Sequence, residues 1–393
     1  MIIKPKVRGF ICTTAHPTGC AVNVEEQVSY VEQQEIRGDG PKKVLVLGCS
    51  TGYGLASRIV STFGYDADTL GVMFEKPGTE KRTGSAGYYN TLAFERMAAA
   101  KGRYAKTLNM DAFSPEAKAE VIEAIKADMG KIDLVVYSLA APRRKDPQTG
   151  EVYNSVLKPV GEAVTRKTLN TDSGEVSELT LEPATQEEID ATIKVMGGED
   201  WELWMQALDE AGVLADGVKT TAYTYIGKEL TWPIYGRATI GKAKEDLDRA
   251  ATAIQSDLSK KYGGEARVSV LKALVTQASS AIPVMPLYIS LLYRVMKEQG
   301  THEGAIEQIY RLLVEELYSP DRDPVLDESG RVRVDLRELD DSVQQKVEEL
   351  WQQVTTDNVR KISDFAGYQE EFFKLFGFGV AGVDYEAEVD PQG

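Results

Sequence analysis

Residues 43–54 read Lys43-Val-Leu-Val-Leu-Gly48-Cys49-Ser50-Thr51-Gly52-Tyr53-Gly54, an apolar run that stops at a glycine and passes at once into G-x-x-x-G-x-G. Four successive branched aliphatics bury both faces of a strand, as expected at the centre of a parallel sheet rather than in a half-solvated one. The glycines permit positive φ and let the backbone approach an anion without a Cβ in the way. The helix predicted over 53–63 begins at this turn and aims free N–H groups and its dipole at the same place. Gly48, Cys49, Ser50, Thr51, Gly52 and Tyr53 are therefore candidates for holding a pyrophosphate. A glycine trio can also serve a packing turn alone; its position between strand and helix is what favours a dinucleotide.

Outward from this turn, strands are expected at 69–74, 104–108 and 132–138, with helices at 89–100 and 116–129 between them. Repeated strand–helix alternation with short connections indicates an α/β fold with a doubly wound parallel sheet. The regularity lapses after Pro142. Residues 143–185 read as an insertion, with a β-hairpin flap suggested by the alternation at 176–181. Helices are expected at 186–196, 201–211, 240–261 and 286–299, and strands at 219–226 and 267–275. The remainder reads as helical, with a small hairpin around Gly330. The expected organisation is one unit, 1–393. It has a core at about 43–142 and 219–300, the insertion at 143–185, and a helical C-terminal part at 301–393.

The chain of 393 residues carries 45 basic and 61 acidic side chains, a formal charge of −16. That balance argues against nucleic-acid partners, whose affinity comes from neutralised phosphates, but leaves room for a local anion site. Cys12, Cys20 and Cys49 show no metal spacing, and His16 and His302 are too few for a histidine-based zinc site. No secretory pattern opens the sequence, so a reduced, cytoplasmic protein is expected. The uncharged stretch 273–293 is long enough for a membrane span. Pro283, Pro286 and several polar residues interrupt it, so strand, loop and buried helix are expected instead.

Ligands in this fold sit beyond the carboxyl ends of the strands. Glu75, at the end of the second strand with Phe74 beside it, is placed to accept hydrogen bonds from adenosine ribose hydroxyls. It would also repel a 2′-phosphate, so NADH is expected over NADPH. Asp111-Ala112 and Leu139-Ala140 follow the next two strands of the core. Tyr235 and Lys244 suggest an acid–base pair, since a nearby ammonium favours a phenolate and can orient cofactor hydroxyls. On one helix they would lie ~13.5 Å apart, so Tyr235 is expected in a loop and Lys244 in the opening turns of a helix capped by Thr239. Tyr225 competes with Tyr235, and Lys242 with Lys244. Arg143, Arg144 and Lys145 are candidates for coenzyme A phosphates or an acidic carrier protein, and the apolar residues of 286–296 for an acyl channel. His16 reads as structural.

With these residues assembled, the chain resembles the family of trans-2-enoyl-CoA reductases and V-type enoyl-acyl-carrier-protein reductases. The opening MIIKPKVRGFICTTAHPTGC, GCSTGYG, FEK at Glu75, YSLAAPRR, ATIKVMGGEDW, Tyr235-x8-Lys244, KALVTQASSAIPVMPLY and KEQGTHEGAIEQI carry the resemblance. It implies a Rossmann, short-chain-dehydrogenase-like fold with an enlarged substrate side, usually monomeric. It also implies NADH-dependent reduction of trans-2-enoyl thioesters in fatty acid synthesis. Tyr235 would be the proton donor, Lys244 a cofactor contact and Tyr225 a substrate contact, with Leu274, Val275 and Thr276 at the nicotinamide. No second cofactor motif is evident. A carbonyl reductase of the same broad fold, or a non-catalytic NAD-binding regulator, would share many of these features.

Overall fold

The computed structural model describes all 393 residues. Seven parallel strands form its central sheet: β1 (Lys43–Leu47), β2 (Asp68–Met73), β3 (Ala105–Asn109), β4 (Ile132–Tyr137), β5 (Leu214–Thr224), β6 (Glu265–Val270) and β7 (Val332–Arg333). Their order across the sheet is β7-β6-β5-β4-β1-β2-β3. The direction of winding reverses at β1, where β2 lies on one side and β4 on the other. That reversal leaves a crevice at the carboxyl ends, directly above the glycine turn.

Alternation along the strands sorts the core. Val44 and Val46 face one layer and Leu45 and Leu47 the other, all fully buried. On the first face pack α1 (Pro17–Glu32), α2 (Gly52–Ile59) and α3 (Ala86–Ala100). On the second lie α4 (Pro115–Ala124), α5 (Gln186–Met196), α6 (Glu199–Glu210) and α7 (Thr239–Tyr262), α5 reaching the sheet through α7. A third apolar cluster joins α9 (Met285–Glu298), α11 (Asp341–Gln353), α12 (Val359–Ile362) and α13 (Phe365–Lys374) with residues 273–275, which lead into α8 (Gln277–Ser280), while α10 (Ala305–Tyr310) packs on the first face through Ile306 and Ile309. Local chemistry fixes several boundaries. Ser114 and Pro115 start α4, the Thr185/Glu188 capping box starts α5, and Gly263 at φ +63° ends α7.

The doubly wound sheet and the helical C-terminal part are as the sequence suggests. The insertion holds two antiparallel hairpins, Arg143–Lys145 with Val152–Asn154 and Val164–Leu169 with Val176–Leu181. Several expectations need correction. Helix α1 was not anticipated, although Cys20, Val24, Val28 and Val31 line one buried face of it. Strand β5 begins at Leu214, and β6 stops at Val270 rather than running to 275. The turn at Gly330 exists, but its second arm is β7, parallel to β6, while Leu326 contributes only an isolated bridge. Ala238, not Thr239, caps α7; the Thr239 hydroxyl donates instead to the Val156 carbonyl. Residues 273–293 form a loop, α8 and most of α9, and no helix is long and apolar enough to cross a membrane.

Candidate active site

The glycine turn is fixed for three different reasons. At Gly48, φ is +82° and a Cβ would fall 2.2 Å from the Ser138 carbonyl oxygen. At Gly54 a Cβ would fall 1.9 Å from the Gly48 carbonyl oxygen, so helix and strand can approach only without a side chain. Gly52, at φ +52°, has nothing nearer than the Thr276 methyl at 3.9 Å. Two glycines therefore serve packing, and the third faces open space at the first residue of α2. Gly54→Ala is expected to lower the melting temperature, by about 1–3 kcal/mol of overpacking, and to weaken NADH binding in a fluorescence titration.

A cavity of about 350 Å³ lies in front of Gly52 and brings Thr51 together with Leu274, Val275 and Thr276. Thr276 is fixed by its capping box with Ser279, and the Val275 N–H donates to the Tyr293 hydroxyl at 3.1 Å. The phenol of Tyr53 points away and donates to the Lys272 carbonyl at 2.6 Å, leaving its backbone for any phosphate contact. Cys49 is fully buried beside Arg58. Ser50 donates to a Glu75 carboxylate oxygen at 2.6 Å.

Glu75 is gripped twice more. Its N–H donates to the Asn109 side chain and its carbonyl accepts from the same side chain, both at 2.8 Å. Asn109 was not among the expected residues; its place at the last position of the neighbouring strand was the available signal. Phe74 is 78% exposed, more than any other large apolar side chain, and forms an open aromatic face at the end of β2. Asp111 shapes the following turn by accepting the Phe113 N–H at 3.0 Å, and the Ala112 carbonyl accepts from Trp204 at 3.1 Å. Leu139 and Ala140 follow β4; the Leu139 side chain lies close to Gly48.

Tyr235 lies in a loop and Lys244 in the first turns of α7, as required for the two to approach. Lys242 is turned outward onto Glu245 at 2.8 Å, whereas Lys244 is half-buried and donates to the Tyr223 carbonyl at 3.4 Å. Burial pulls the Lys244 ammonium down to about 8, with Asp248 opposing the shift. Tyr235 is 8% exposed and forms a small cluster with Ala238 and Ile240, against which Leu157, Met196, Ile282 and Tyr225 pack. Its ring stands edge-on to that of Tyr225, with centroids 4.9 Å apart. Burial pushes the Tyr235 phenol up, and no hydrogen bond joins it to Lys244. Without an ammonium bonded to it, the raised Tyr235 phenol stays protonated at neutral pH.

Two further expectations fail on burial. Arg144 is 2% exposed and donates to the Lys194 carbonyl at 2.7 Å and to Glu199 at 2.8 Å, so it is not free for a phosphate; Arg143 and Lys145 are exposed. Leu287, Ile289, Leu291 and Leu292 are fully buried in the third cluster, and Ile282, ahead of α9, packs against the small cluster of Tyr235, Ala238 and Ile240. His16 caps α1 through Nδ1, consistent with a structural role.

Three family models match in succession: the NAD(P)H binding domain of trans-2-enoyl-CoA reductase over residues 2–80, the trans-2-enoyl-CoA reductase catalytic region over 82–318, and an enoyl reductase FAD binding domain over 326–389. The enoyl-[acyl-carrier-protein] reductase [NADH] of Colwellia psychrerythraea is 63% identical over 392 residues, covering 100% of this chain and 98% of the relative. That of Pseudoalteromonas atlantica is 64% identical over 388 residues, covering 99% and 98%. Among solved structures, trans-2-enoyl-CoA reductase of Clostridium acetobutulicum in complex with NADH superposes with a TM-score of 0.96 at 45% identity, covering 100% of this chain and 98% of that one. The Treponema denticola enzyme in complex with NAD gives 0.94 at 49% identity, covering 99% and 98%. Residues 326–389 do not fit a flavin dinucleotide. Val343, Val347, Trp351, Phe365, Tyr368 and Phe372 are spent on the third cluster. The 560 Å³ groove beside α13 presents Glu370 and Glu386, with Lys4 already paired to Glu386.

Proposed function

The chain belongs to the trans-2-enoyl-CoA reductase family, and on that footing we propose that it reduces the 2,3-double bond of trans-2-enoyl thioesters, carried by coenzyme A or acyl carrier protein, with NADH, in fatty acid synthesis. The burial of Tyr235 and Lys244 beside the crevice of a chain matched along nearly its whole length carries this reading. NADH supplies a hydride to the β-carbon of the enoyl group. The residues fit it: the backbone of 48–53 and the start of α2 would hold the pyrophosphate, and Glu75 the adenosine ribose. Phe74 offers its exposed ring to the adenine, with Asp111, Ala112, Leu139 and Ala140 along the same edge. Lys244 would donate to the nicotinamide ribose, and Leu274, Val275 and Thr276 would border the ring.

Hydride addition at the β-carbon would leave negative charge on the thioester oxygen as an enolate, and the α-carbon would then take a proton from the Tyr235 phenol or from water. A neutral phenol at that oxygen is worth ~2.7–4 kcal/mol of transition-state stabilisation, and Tyr235 is the group assigned to it. Leu157, Met196 and Ile282 keep water from the reacting carbons, and Tyr225 forms the adjoining wall for substrate. The protein works as a single unit, 1–393, and as a cytoplasmic monomer without nucleic-acid partners.

Oxidation of NADH by purified protein, dependent on crotonyl-CoA, tests the reading. Turnover of a 3-ketoacyl thioester with none of crotonyl-CoA would make it a carbonyl reductase. NADH binding without turnover of either would make it a regulator. Cofactor choice has its own test. Asn109 fixes the Glu75 backbone and Ser50 holds its carboxylate, which keeps the charge where a 2′-phosphate would lie. Glu75→Gln is expected to raise kcat/KM for NADPH at least tenfold with NADH little changed, since one charge pair at 4 Å is worth up to ~4 kcal/mol at an effective dielectric near 20.

A further inference from the structure

Glu338 belongs to the C-terminal part, beyond β7, yet its side chain is completely buried beneath the substrate side of the crevice. One carboxylate oxygen accepts from the Tyr225 hydroxyl at 3.0 Å and from the Tyr288 hydroxyl at 2.8 Å. The other accepts the Ala273 N–H at 2.7 Å. Three donors converge on one group, and an ionised carboxylate, which only accepts, satisfies all of them. Gln344 holds the assembly from behind, donating to the Tyr288 hydroxyl at 3.0 Å and to the Glu338 carbonyl at 2.8 Å. Lys272 is buried alongside and donates to the Ala273 carbonyl at 3.0 Å; burial pushes the Glu338 carboxyl up, and the Lys272 charge with the donated bonds opposes that push.

A buried carboxylate is costly unless its bonds are made, and a structural role would need only packing here. What sets this one apart is the donor it takes. Tyr225 immediately follows β5, and its ring stands edge-on against Tyr235. With its hydroxyl proton committed to Glu338, Tyr225 is held in one rotamer and is not a competing proton donor.

We infer that Glu338 is a positioning residue for the reaction, holding Tyr225 through its hydroxyl so that the Tyr225 ring fixes the orientation of the Tyr235 phenol. The inference rests on the enoyl-reductase reading above. It adds to that reading a residue that acts through a tyrosine from outside the segment carrying the reaction's own groups.

A double-mutant cycle tests it, with wild-type turnover of crotonyl-CoA as the control for the underlying reading. Glu338→Gln keeps the volume but presents an amide N–H₂ to one of the three donors, and is expected to lower kcat about tenfold with NADH affinity changed less than threefold. In a Tyr225→Phe background the same substitution should lower kcat less than twofold, because the bond through which it acts is gone. In a Tyr288→Phe background the tenfold effect should persist. Equal effects of Glu338→Gln with and without the Tyr225 hydroxyl would overturn the inference, as would a loss shared equally by kcat and NADH affinity. If Glu338→Gln does not fold, Glu338→Asp, one methylene too short to reach all three donors, replaces it in the same cycle. Absence of wild-type turnover would instead defeat the function itself.

Discussion

Tyr235→Phe should lower kcat by roughly 10²–10³-fold, the cost of removing one preorganised donor to a developing oxyanion, while NADH affinity moves less than about twofold. The substitution removes one oxygen from a side chain that is 8% exposed and leaves the ring's cluster with Ala238 and Ile240, and its edge-on contact with Tyr225, in place. Because burial pushes the phenol up and no ammonium is bonded to it, the group is protonated throughout the ordinary working range. The wild-type kcat should therefore show no rising limb between pH 6 and 9, as a phenolate base would demand. Steady-state kinetics with crotonyl-CoA, paired with fluorescence titration of NADH, checks both points. A kcat within threefold of wild type would remove Tyr235 from the chemistry. Tyr225→Phe would then be the next variant to measure, although the Tyr225 proton is already engaged by Glu338.

Much of this site was legible because its parts are local. A strand buried on both faces must be apolar throughout, and 43–47 is. A turn in which two carbonyls approach within a Cβ radius must be glycine, and Gly48 and Gly54 are. The loop-then-helix placement of Tyr235 and Lys244 followed from helical rise alone. What escaped depends on partners far along the chain. Residues 267–275 continue the apolar character of a strand, yet the ladder ends at Val270. The next free N–H groups, of Lys272 and Ala273, donate instead to the side chains of Gln308 at 3.0 Å and Glu338 at 2.7 Å. No local pattern announces such a substitution of side chain for strand. Arg144 likewise sits in a run of three basic residues that reads as solvated, until Glu199 closes on it from the start of α6. The cap of α1 is a histidine rather than one of the usual short polar residues, which hid that helix despite its apolar stripe.

Lys244→Met is expected to move binding and stability in opposite directions. Lys244 is a half-buried ammonium whose hydrogen bond is to the Tyr223 carbonyl, and no carboxylate lies within salt-bridge distance of it. Burial lowers it from 10.5 to about 8, so folding disfavours the charged form. The sign follows from proton counting: between pH 8 and 10.5 the unfolded chain binds the extra proton, so this penalty is fully present below pH 8 and is relieved as pH rises through that window. Methionine fills the space without the charge, and at pH 7 the protein without cofactor should gain about 1–3 kcal/mol, read as a higher denaturant midpoint. NADH binding should weaken by roughly 10- to 100-fold, the value of a hydrogen bond from a charged donor. The wild-type affinity for NADH should fall as pH rises through about 8, and that dependence should disappear in the methionine variant. Lys272, which burial also pulls to about 8, would leave the dependence in place if it were the group responsible. A variant that gains no stability, or binds NADH as tightly as wild type, would show that the ammonium at the head of α7 is retained for packing rather than for the cofactor.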